Sequence, residues 1–316
     1  RSAFRNFIRN KGYMFINMAG LSIGIATVMI IFVYFLQDRE FDRFHEEYER
    51  IYRLSMERSY GNDEFQPVAF SAVKMTTYIR AYHPQVESIC RMSRLRPQAV
   101  KHDNKKFYIE QVTHTEPEFF KVFTINLIKG NPDECLKNRG SAVLNTSTAA
   151  KLFGDEYPMG KLVAIDTLNC LVTGVFEDLP SNSHLQYNIL LNFDDWDGGP
   201  FPDSWGAFCN TYMKVIEGCN VIALDTTLRH VVAQQLALTE ERDDFSRSLV
   251  ARHYLVPIKD IHFSHKWQHE IHEPGNSMII TVFSIVGILI LVIACINYMN
   301  LTTAFYLKRF REIAIR

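Results

Sequence analysis

The chain has 316 residues, a formal net charge of −1, and 47% hydrophobic residues. This near-neutral balance argues against nucleic acid as the main partner, because nucleic-acid-binding domains concentrate positive charge. The apolar residues are clustered: no Asp, Glu, Lys or Arg occurs from Phe15 to Leu36 or from Met278 to Met299. Two uncharged windows of this length argue against a purely soluble protein.

The first 14 residues predict a short amphipathic helix that lies in the headgroup layer of a membrane, with arginines on lipid phosphate. Residues 15–37 follow as the first transmembrane helix. The uncharged window of 22 residues would extend roughly 33 Å, enough to cross a hydrocarbon core of about 30 Å. Gly20 and Gly24 form a GxxxG step, which indicates close packing on another crossing. Glycine is also simply common in membrane helices.

Beyond Leu36 the apolar residues keep a helical spacing. Phe41, Phe44, Tyr48 and Ile51 are separated by 3, 4 and 3 residues, with charged residues between them. This period predicts a helix that continues out of the membrane. Such a helix would act as a stiff stalk and carry movement of the anchor to the domain that follows.

Residues 38–276 form the large insert between the two apolar windows. Runs of strand-like sequence alternate with single helical patterns and turn residues, which favours an α+β domain over a doubly wound sheet. The predicted strands are 50–56, 86–95, 107–115, 142–145, 161–165, 170–176 and 186–192, and the predicted helices are 71–81, 146–152 and 221–238.

Residues 277–299 predict the second transmembrane helix, and residues 300–316 a basic segment beyond it. Four basic residues precede the first crossing, and four basic residues and one acidic residue follow the second. Residues 38–275 therefore contain the remaining 26 basic and 34 acidic residues, a net charge of −8. Positive charge marks the cytoplasmic side of a crossing. We therefore expect both ends inside the cell and the insert outside. We also expect the chain to be a piece of a longer protein.

Ordered motifs along the whole chain make the sequence similar to the MacB/FtsX-type ABC transporter permeases, in the long form common in Bacteroidetes. No single motif is sufficient, but their order and spacing match those of the first half of such a permease. The motifs are RNKGY (9–13), FIN (15–17), GLSIG (20–24), FDRFH (41–45), RIYRL (50–54), EFF (118–120), AAKLFG (149–154), PMGK (158–161), TGVFEDLPSNSH (173–184), NYMNLTTA (297–304) and REIAIR (311–316).

The resemblance implies a periplasmic core domain, with a porter-like α/β part and an inserted, mostly β part, flanked by two transmembrane helices. It implies a permease of the bacterial inner membrane that works with a separate cytoplasmic ABC ATPase and with the remaining permease half or a second copy. A periplasmic adaptor is a further partner that the resemblance allows. Related permeases transmit force to the periplasmic domain. The residues matching the ATPase-docking stretch are Lys308, Arg309, Arg311, Glu312 and Arg316.

No nucleotide-binding or catalytic motif occurs in the sequence. The phosphate-binding pattern GxxxxGK[ST] is absent, so the chain lacks the backbone cradle and lysine that hold ATP phosphates. We therefore expect that the chain is not an enzyme, needs no cofactor, and takes its energy from a partner. The basic residues 308–311 also agree with the charge signal of membrane topology alone.

Four histidines, spaced 3, 4 and 3 residues apart, precede the second crossing. On one helix their imidazoles would share a face and make a candidate zinc or copper site. The HExxH spacing of metalloproteases is absent, and solvated or interfacial histidines are the simpler explanation. The candidate ligands are His262, His265, His269 and His272.

The six cysteines contain no CxxC pair. Cys209 and Cys219 could flank a hairpin and pair in an oxidising compartment, whereas free buried thiols are the default expectation. The rival interpretation of the whole chain is a two-crossing membrane receptor with a ligand-sensing outer domain. Such a receptor should continue into coiled-coil heptads after the second crossing, and residues 305–316 lack them.

Overall fold

The computed structural model describes residues 11–59, 64–103, 105–196, 205–238, 250–264, 266–272, 275 and 277–314. The chain divides into two compact units. We call residues 1–40 and 275–316 the helical unit, and residues 41–274 the core unit. Most of the predicted interfacial helix, residues 1–10, lies outside the described residues.

The elements follow in chain order. The helices are α1 (Lys11–Arg39), α2 (Lys74–Tyr82), α3 (Phe119–Val122), α4 (Thr146–Phe153), α5 (Val221–Leu228), α6 (Val231–Leu238), α7 (Ile258–Ile261) and α8 (Ser277–Ala314), with 3₁₀ turns at Tyr48–Arg50 and Phe193–Asp195. The strands are β1 (Ile51–Ser59), β2 (Gln66–Val68), β3 (Ser71–Ala72), β4 (Val86–Met92), β5 (Arg96–His102), β6 (Lys105–Thr115), β7 (Leu127–Lys129), β8 (Ser141–Asn145), β9 (Leu162–Ile165), β10 (Leu168–Phe176), β11 (Ile189–Asn192), β12 (Phe208–Val215) and β13 (Val250–Pro257).

The helical unit consists of α1 and α8. Stretches of both are long and apolar enough to cross a membrane, at Met18–Arg39 and Thr281–Asn300. Both helices are longer than the predicted crossings of 15–37 and 277–299. The segment predicted to follow the second crossing continues the same helix as far as Ala314.

The predicted helical stalk is wrong. Helix α1 ends at Arg39, Asp42 has a positive φ of 58°, and Ile51 begins β1. The 3-4-3 spacing has another cause: Tyr48 and Ile51 pack in one core from a 3₁₀ turn and a strand, whereas Phe41 is buried in the preceding turn against the ring of His262. Hydrogen bonds made by the buried Asp42 fix the turn, and this tertiary contact overrides the local helical period.

Half of the core unit is a closed ring of strands. The pairing runs β6–β11–β8–β10–β9–β5 and returns to β6, with the β6–β11 and β8–β10 pairs parallel. Apolar side chains fill the ring, among them Val100, Leu144, Ile165 and Val172, each at most 1% exposed. Fully burying side chains of this size contributes about 1.5–3 kcal/mol each, so the ring has a core of its own.

The other half is an antiparallel sheet covered by helices. Its strands run β4–β12–β1–β13, and it joins the ring where Met92 of β4 pairs with Thr115 of β6. Met75 and Ile79 of α2 and Leu228 of α5 pack in one core with this sheet. Since the ring segment is inserted between β4 and β12, the predicted α/β part with a mostly β insert is confirmed.

Two predicted helices are shorter than expected. The pattern at 71–81 begins with strand β3, and α2 starts only at Lys74. The pattern at 221–238 is broken into α5 and α6 around Arg229. The Arg229 carbonyl accepts a hydrogen bond from the backbone N–H of His253 in β13, at 3.0 Å, so a sheet contact interrupts the helix.

Candidate functional site

A buried polar network lies in the core unit and joins the first residues of the unit to its last described ones. We define this polar network as Asp42, His45, Arg53, His184, Tyr212 and Glu270.

Asp42 is the first member and is completely buried. It lies three residues after Arg39, the end of α1, in the left-handed conformation that aspartate tolerates better than most residues. Its backbone N–H donates to the carbonyl of Asn182 at 2.8 Å. One carboxylate oxygen, Oδ1, accepts from the Ser183 hydroxyl at 3.2 Å and from the His184 backbone N–H at 3.0 Å. Two short motifs, FDRFH and SNSH, therefore meet in space.

His184 carries the network from Asp42 to the middle of the sheet. Its Nδ1 lies 2.8 Å from Oδ2 of Asp42, and its Nε2 lies 2.8 Å from the hydroxyl of Tyr212 in β12. Burial by itself raises the pKa of Asp42, but the charge of His184 and its hydrogen bonds outweigh burial and lower that pKa. Burial raises the pKa of Tyr212, so its hydroxyl stays protonated at neutral pH.

His45 lies beside this pair and is held neutral. Its Nδ1 accepts the backbone N–H of Thr124 at 3.2 Å, and its ring packs on Phe123 with centroids 5.3 Å apart. Burial lowers the pKa of His45 to about 4; the negative charge of Asp42 opposes this shift, and the charge of His184 adds to it. A neutral His45 therefore adds no positive charge to this buried region.

The second half of the network is an ion pair between Arg53 and Glu270. Arg53 stands directly opposite Tyr212 in the β1–β12 register and is 0% exposed. Its guanidinium binds Glu270 in a bidentate manner, with Nη2 2.7 Å from Oε1 and Nη1 close to Oε2. Its Nε donates to the hydroxyl of Ser55 at 2.9 Å. Burial opposes the charge, but Glu270 and Tyr212 raise the pKa of Arg53.

The ion pair of Glu270 with Arg53 holds the segment that precedes α8 in the core unit. Glu270 lies seven residues before Ser277, the first residue of that helix. The same segment is held by Gln268, whose backbone N–H donates to Pro67 and whose carbonyl accepts from Ala69, both at 2.9 Å. Thus the residues that follow α1 and the residues that precede α8 both contribute charged side chains to one buried network.

The three candidate metal-ligating histidines that the structure describes do not lie along one helix. Helix α7 ends at Ile261, before His262, and the ring of His262 stacks on Phe41 at 3.7 Å. His272 lies at 6.1 Å from the same ring, whereas His269 stacks on Phe70. Among the described residues no three such ligands come together. Because His265 lies outside them, the four-histidine site stays an untested candidate, and solvated or interfacial histidines stay the expectation.

The predicted packing glycines differ in their surroundings. A Cβ added to Gly24 would lie 3.4 Å from Ile290 and 3.5 Å from Ala294 of α8, whereas Gly20 is exposed. The residues predicted to dock an ATPase, Lys308, Arg309, Arg311 and Glu312, lie in the last turns of α8, and Arg316 lies outside the described residues. The cysteines are free thiols; Cys209 lies within strand β12 and Cys219 lies beyond its end.

The motif at 41–45 was predicted as part of a helical stalk and the motif at 173–184 as the end of a strand and a turn, with no contact between them. The positions of Asp42 and His184, 142 residues apart, gave no signal that they would meet. The only indication of this contact in the sequence was chemical, because each motif ends in a histidine and contains a carboxylate or small polar residues. Arg53 had the stronger signal, since an arginine within an apolar strand needs a buried partner.

Comparison with known proteins identifies the core unit. The MacB-like periplasmic core domain matches residues 14–231. No curated protein matches the chain. A domain assigned to a permease protein from Porphyromonas gingivalis shares the fold, with 20% identity, a TM-score of 0.55, and coverage of 76% of this chain and 98% of that one.

Two other solved structures are more distant. They are the periplasmic region of MacB from Actinobacillus actinomycetemcomitans (14% identity, TM-score 0.46, 66% of this chain and 90% of that one) and the extracellular domain of the noncanonic ABC-type transporter YknZ from Gram-positive bacteria (13%, 0.44, 64% and 98%). Because the family match extends over more than half of its residues, the chain belongs to the family of the MacB-like periplasmic core domain.

Proposed function

We propose that this chain is part of an ABC transporter permease that couples ATP hydrolysis by a separate cytoplasmic subunit to movement of the core unit. The observation that carries the proposal is the family match over residues 14–231. Two helices apolar enough to cross a membrane support it. In this role the chain extracts or exports a periplasmic substrate by transmitting force, and the ATPase does the chemistry.

The proposed orientation is both termini in the cytoplasm and the core unit in the periplasm of the inner membrane. The positive charge before α1 and near the end of α8, against the net charge of −8 between them, supports this topology. The segment 308–316 would dock on the ATPase. The remaining permease half or a second copy, and a periplasmic adaptor, would complete the assembly.

The polar network is the proposed link between the crossings and the core unit. Asp42 and Glu270 stand at the two ends of the unit, and both are held by side chains of its central strands or loops. Displacing an apolar contact costs little free energy, whereas separating a buried charge from its partner costs several kcal/mol. The network should therefore transmit movement of either connecting segment to β1 and β12 as one unit.

Affinity purification of the full chain with its native membrane partners tests the proposal. We expect an ATPase with a Walker motif to co-purify, and ATP to change the rate at which a protease cleaves the core unit. The double variant Arg53→Met/Glu270→Met should keep the ATPase but lose this ATP-dependent change, whereas Asp133→Asn, which removes an exposed ion pair with Lys121, should keep both. Co-purification of a kinase in place of an ATPase would refute the permease role.

Truncation after Thr303 tests the docking segment. The core unit should stay folded, whereas the ATPase should no longer co-purify. Retention of the ATPase would show that residues 304–316 are not the contact.

The topology has a separate test, which uses native thiols. Cys219 is half-buried and the other four cysteines of the core unit are buried, so a membrane-impermeant maleimide should label Cys219 from outside the cell in a Cys295→Ser background. Labelling only after the inner membrane is opened would place the core unit in the cytosol.

A further inference from the structure

A cluster of positive side chains surrounds Phe70 at the junction of the two halves of the core unit. We define this basic cluster as Arg58, Arg94, Arg96 and His269. The guanidinium carbon of Arg94 lies 4.6 Å from the centre of the Phe70 ring, and that of Arg58 lies 5.3 Å from it. The ring of His269 stacks on Phe70 at 5.7 Å. Three cationic or potentially cationic groups therefore share one buried aromatic ring.

The charges of Arg94 and Arg96 are not neutralised within the described part of the chain. No carboxylate there lies within ion-pair distance of Arg94, Arg96 or His269, although the same residues include many other ion pairs. Burial, together with the positive charges of Arg58 and Arg96, lowers the pKa of Arg94. Burial and the charges of Arg94 and Arg58 likewise lower the pKa of His269. Like charges held this close repel one another, and a bound anion would remove the repulsion.

The geometry of Arg94 favours a particular kind of ligand. A guanidinium that lies over an aromatic ring has its plane fixed, while the N–H groups along its edge still point outward. That edge matches two oxygens of a carboxylate or phosphate. The side chain of Arg94 donates no hydrogen bond within the described residues, so its donors are available to such a group.

Arg94 and Arg96 also line a cleft of about 270 Å³. The lining also includes Leu168 and Trp196, which offer apolar surface, and the carboxylates of Asp166 and Asp195. The Asp195 carboxylate is already engaged by Arg139 at 3.1 Å and by the backbone N–H of Gly140 at 2.6 Å. The cleft thus has space beside the arginines for a ligand larger than a single anion.

The backbone at His269 supplies an independent observation. His269 has a φ of 61°, a conformation that costs free energy for most residues other than glycine and that tends to occur at functional sites. The conformation places its ring against Phe70, beside Arg94. His269 precedes Glu270, the partner of Arg53, so the basic cluster and the polar network share one segment.

We propose that Arg58, Arg94, Arg96 and His269 form a binding site for the oxyanion group, phosphate or carboxylate, of an amphipathic ligand whose apolar part lies in the cleft beside Trp196. The group could belong to a free small molecule or to an anionic lipid headgroup, because both present the same oxygens. Arg94 is the primary contact, because its guanidinium is held over the Phe70 ring and its N–H groups have no partner among the described residues.

Isothermal titration of the full chain in phosphatidylcholine nanodiscs with inorganic phosphate tests the site. We expect saturable binding that is at least tenfold weaker in Arg94→Gln and unchanged in Lys101→Gln, which removes an equal charge from the exposed part of β5. His269→Asn should also weaken binding while keeping a residue that tolerates positive φ. The unfolding midpoint of each variant must match that of the parent, so that loss of binding is not loss of fold.

Nanodiscs containing phosphatidylglycerol distinguish the two sources of the anion. If the parent binds phosphate more weakly in these nanodiscs than in phosphatidylcholine nanodiscs, and Arg94→Gln shows no such difference, a lipid headgroup occupies the site. Equal binding in both kinds of nanodisc would assign the site to a free anion. The proposal is overturned if the parent binds no phosphate in phosphatidylcholine, or if Arg94→Gln binds as tightly as the parent.

Discussion

Replacing Glu270 by Gln removes the only carboxylate that the described residues place against the Arg53 guanidinium. Arg53 is 0% exposed and the Glu270 side chain is 7% exposed, so water cannot solvate the charge that remains. Removing one partner of such a buried pair costs about 3–5 kcal/mol. For a unit of this size, each kcal/mol lowers the unfolding midpoint by roughly 2–4 °C. We therefore expect Glu270→Gln to lower the midpoint by about 6–20 °C.

Thermal unfolding of the full chain in detergent measures this change. Trp267 is buried three residues from Glu270, so tryptophan fluorescence includes a contribution from the same segment. Asp133→Asn is the matched control, because it also removes one carboxylate from an ion pair, the 3.0 Å contact with Lys121. Both groups of that pair are more than half exposed, and such pairs contribute less than about 1 kcal/mol.

The double variant Arg53→Met/Glu270→Met separates the cost of a lone charge from the contribution of the pair. Replacing a buried pair by apolar side chains of similar volume is often neutral or stabilising. Ser55 would lose the hydrogen bond from Arg53, at a cost of about 1–3 kcal/mol, so the double variant should recover part of the lost stability. A Glu270→Gln midpoint no lower than that of Asp133→Asn would refute the reasoning.

Two further predictions concern the acid response and the helix packing. Because burial lowers the pKa of His45 from 6.5 to about 4, the unfolded chain binds this proton first as the pH falls. The free energy of unfolding should therefore drop by about 3 kcal/mol less in His45→Asn than in the parent between pH 7 and pH 4, as measured by denaturant titration. Gly24→Ala should leave the unfolding midpoint of the full chain unchanged, since the new Cβ would make ordinary contacts with Ile290 and Ala294. Gly24→Leu would overpack the same contact and should cost about 1–3 kcal/mol; equal midpoints for the two variants would contradict this packing.

The strands that the sequence predicted are those with a simple chemical pattern. Strand β8 has an apolar centre, residues 142–144, and all of its residues are buried. Strand β5 was missed because it contains Pro97 and several polar residues, and Val100 is its one fully buried side chain. Its partners in the ring, β6 and β9, define it as a strand, and pairing between distant segments leaves little trace in a local pattern.

Strand β12 was missed for the opposite reason. Six of its eight residues are buried, including Asn210 and Thr211, so the alternation of polar and apolar residues that marks a half-exposed strand is absent. The hydroxyl of Thr211 accepts a hydrogen bond from Ser71 at 2.8 Å, which satisfies it inside the core. Polar residues with such partners can lie in the centre of a sheet, but the sequence does not show which partners exist.

The polar network also consists of buried polar side chains whose partners lie far away in the sequence. The apolar side chains around Tyr212, such as Phe123 at 5.2 Å, would stabilise the core unit without any buried charge. A buried ion pair gains little stability over apolar residues of the same volume. What it adds is a strong preference for one arrangement, because Asp42 and Glu270 each have one set of partners that satisfies them. That preference is what the role proposed for the network requires, because a displaced connecting segment must then carry its charged partners with it instead of exchanging them.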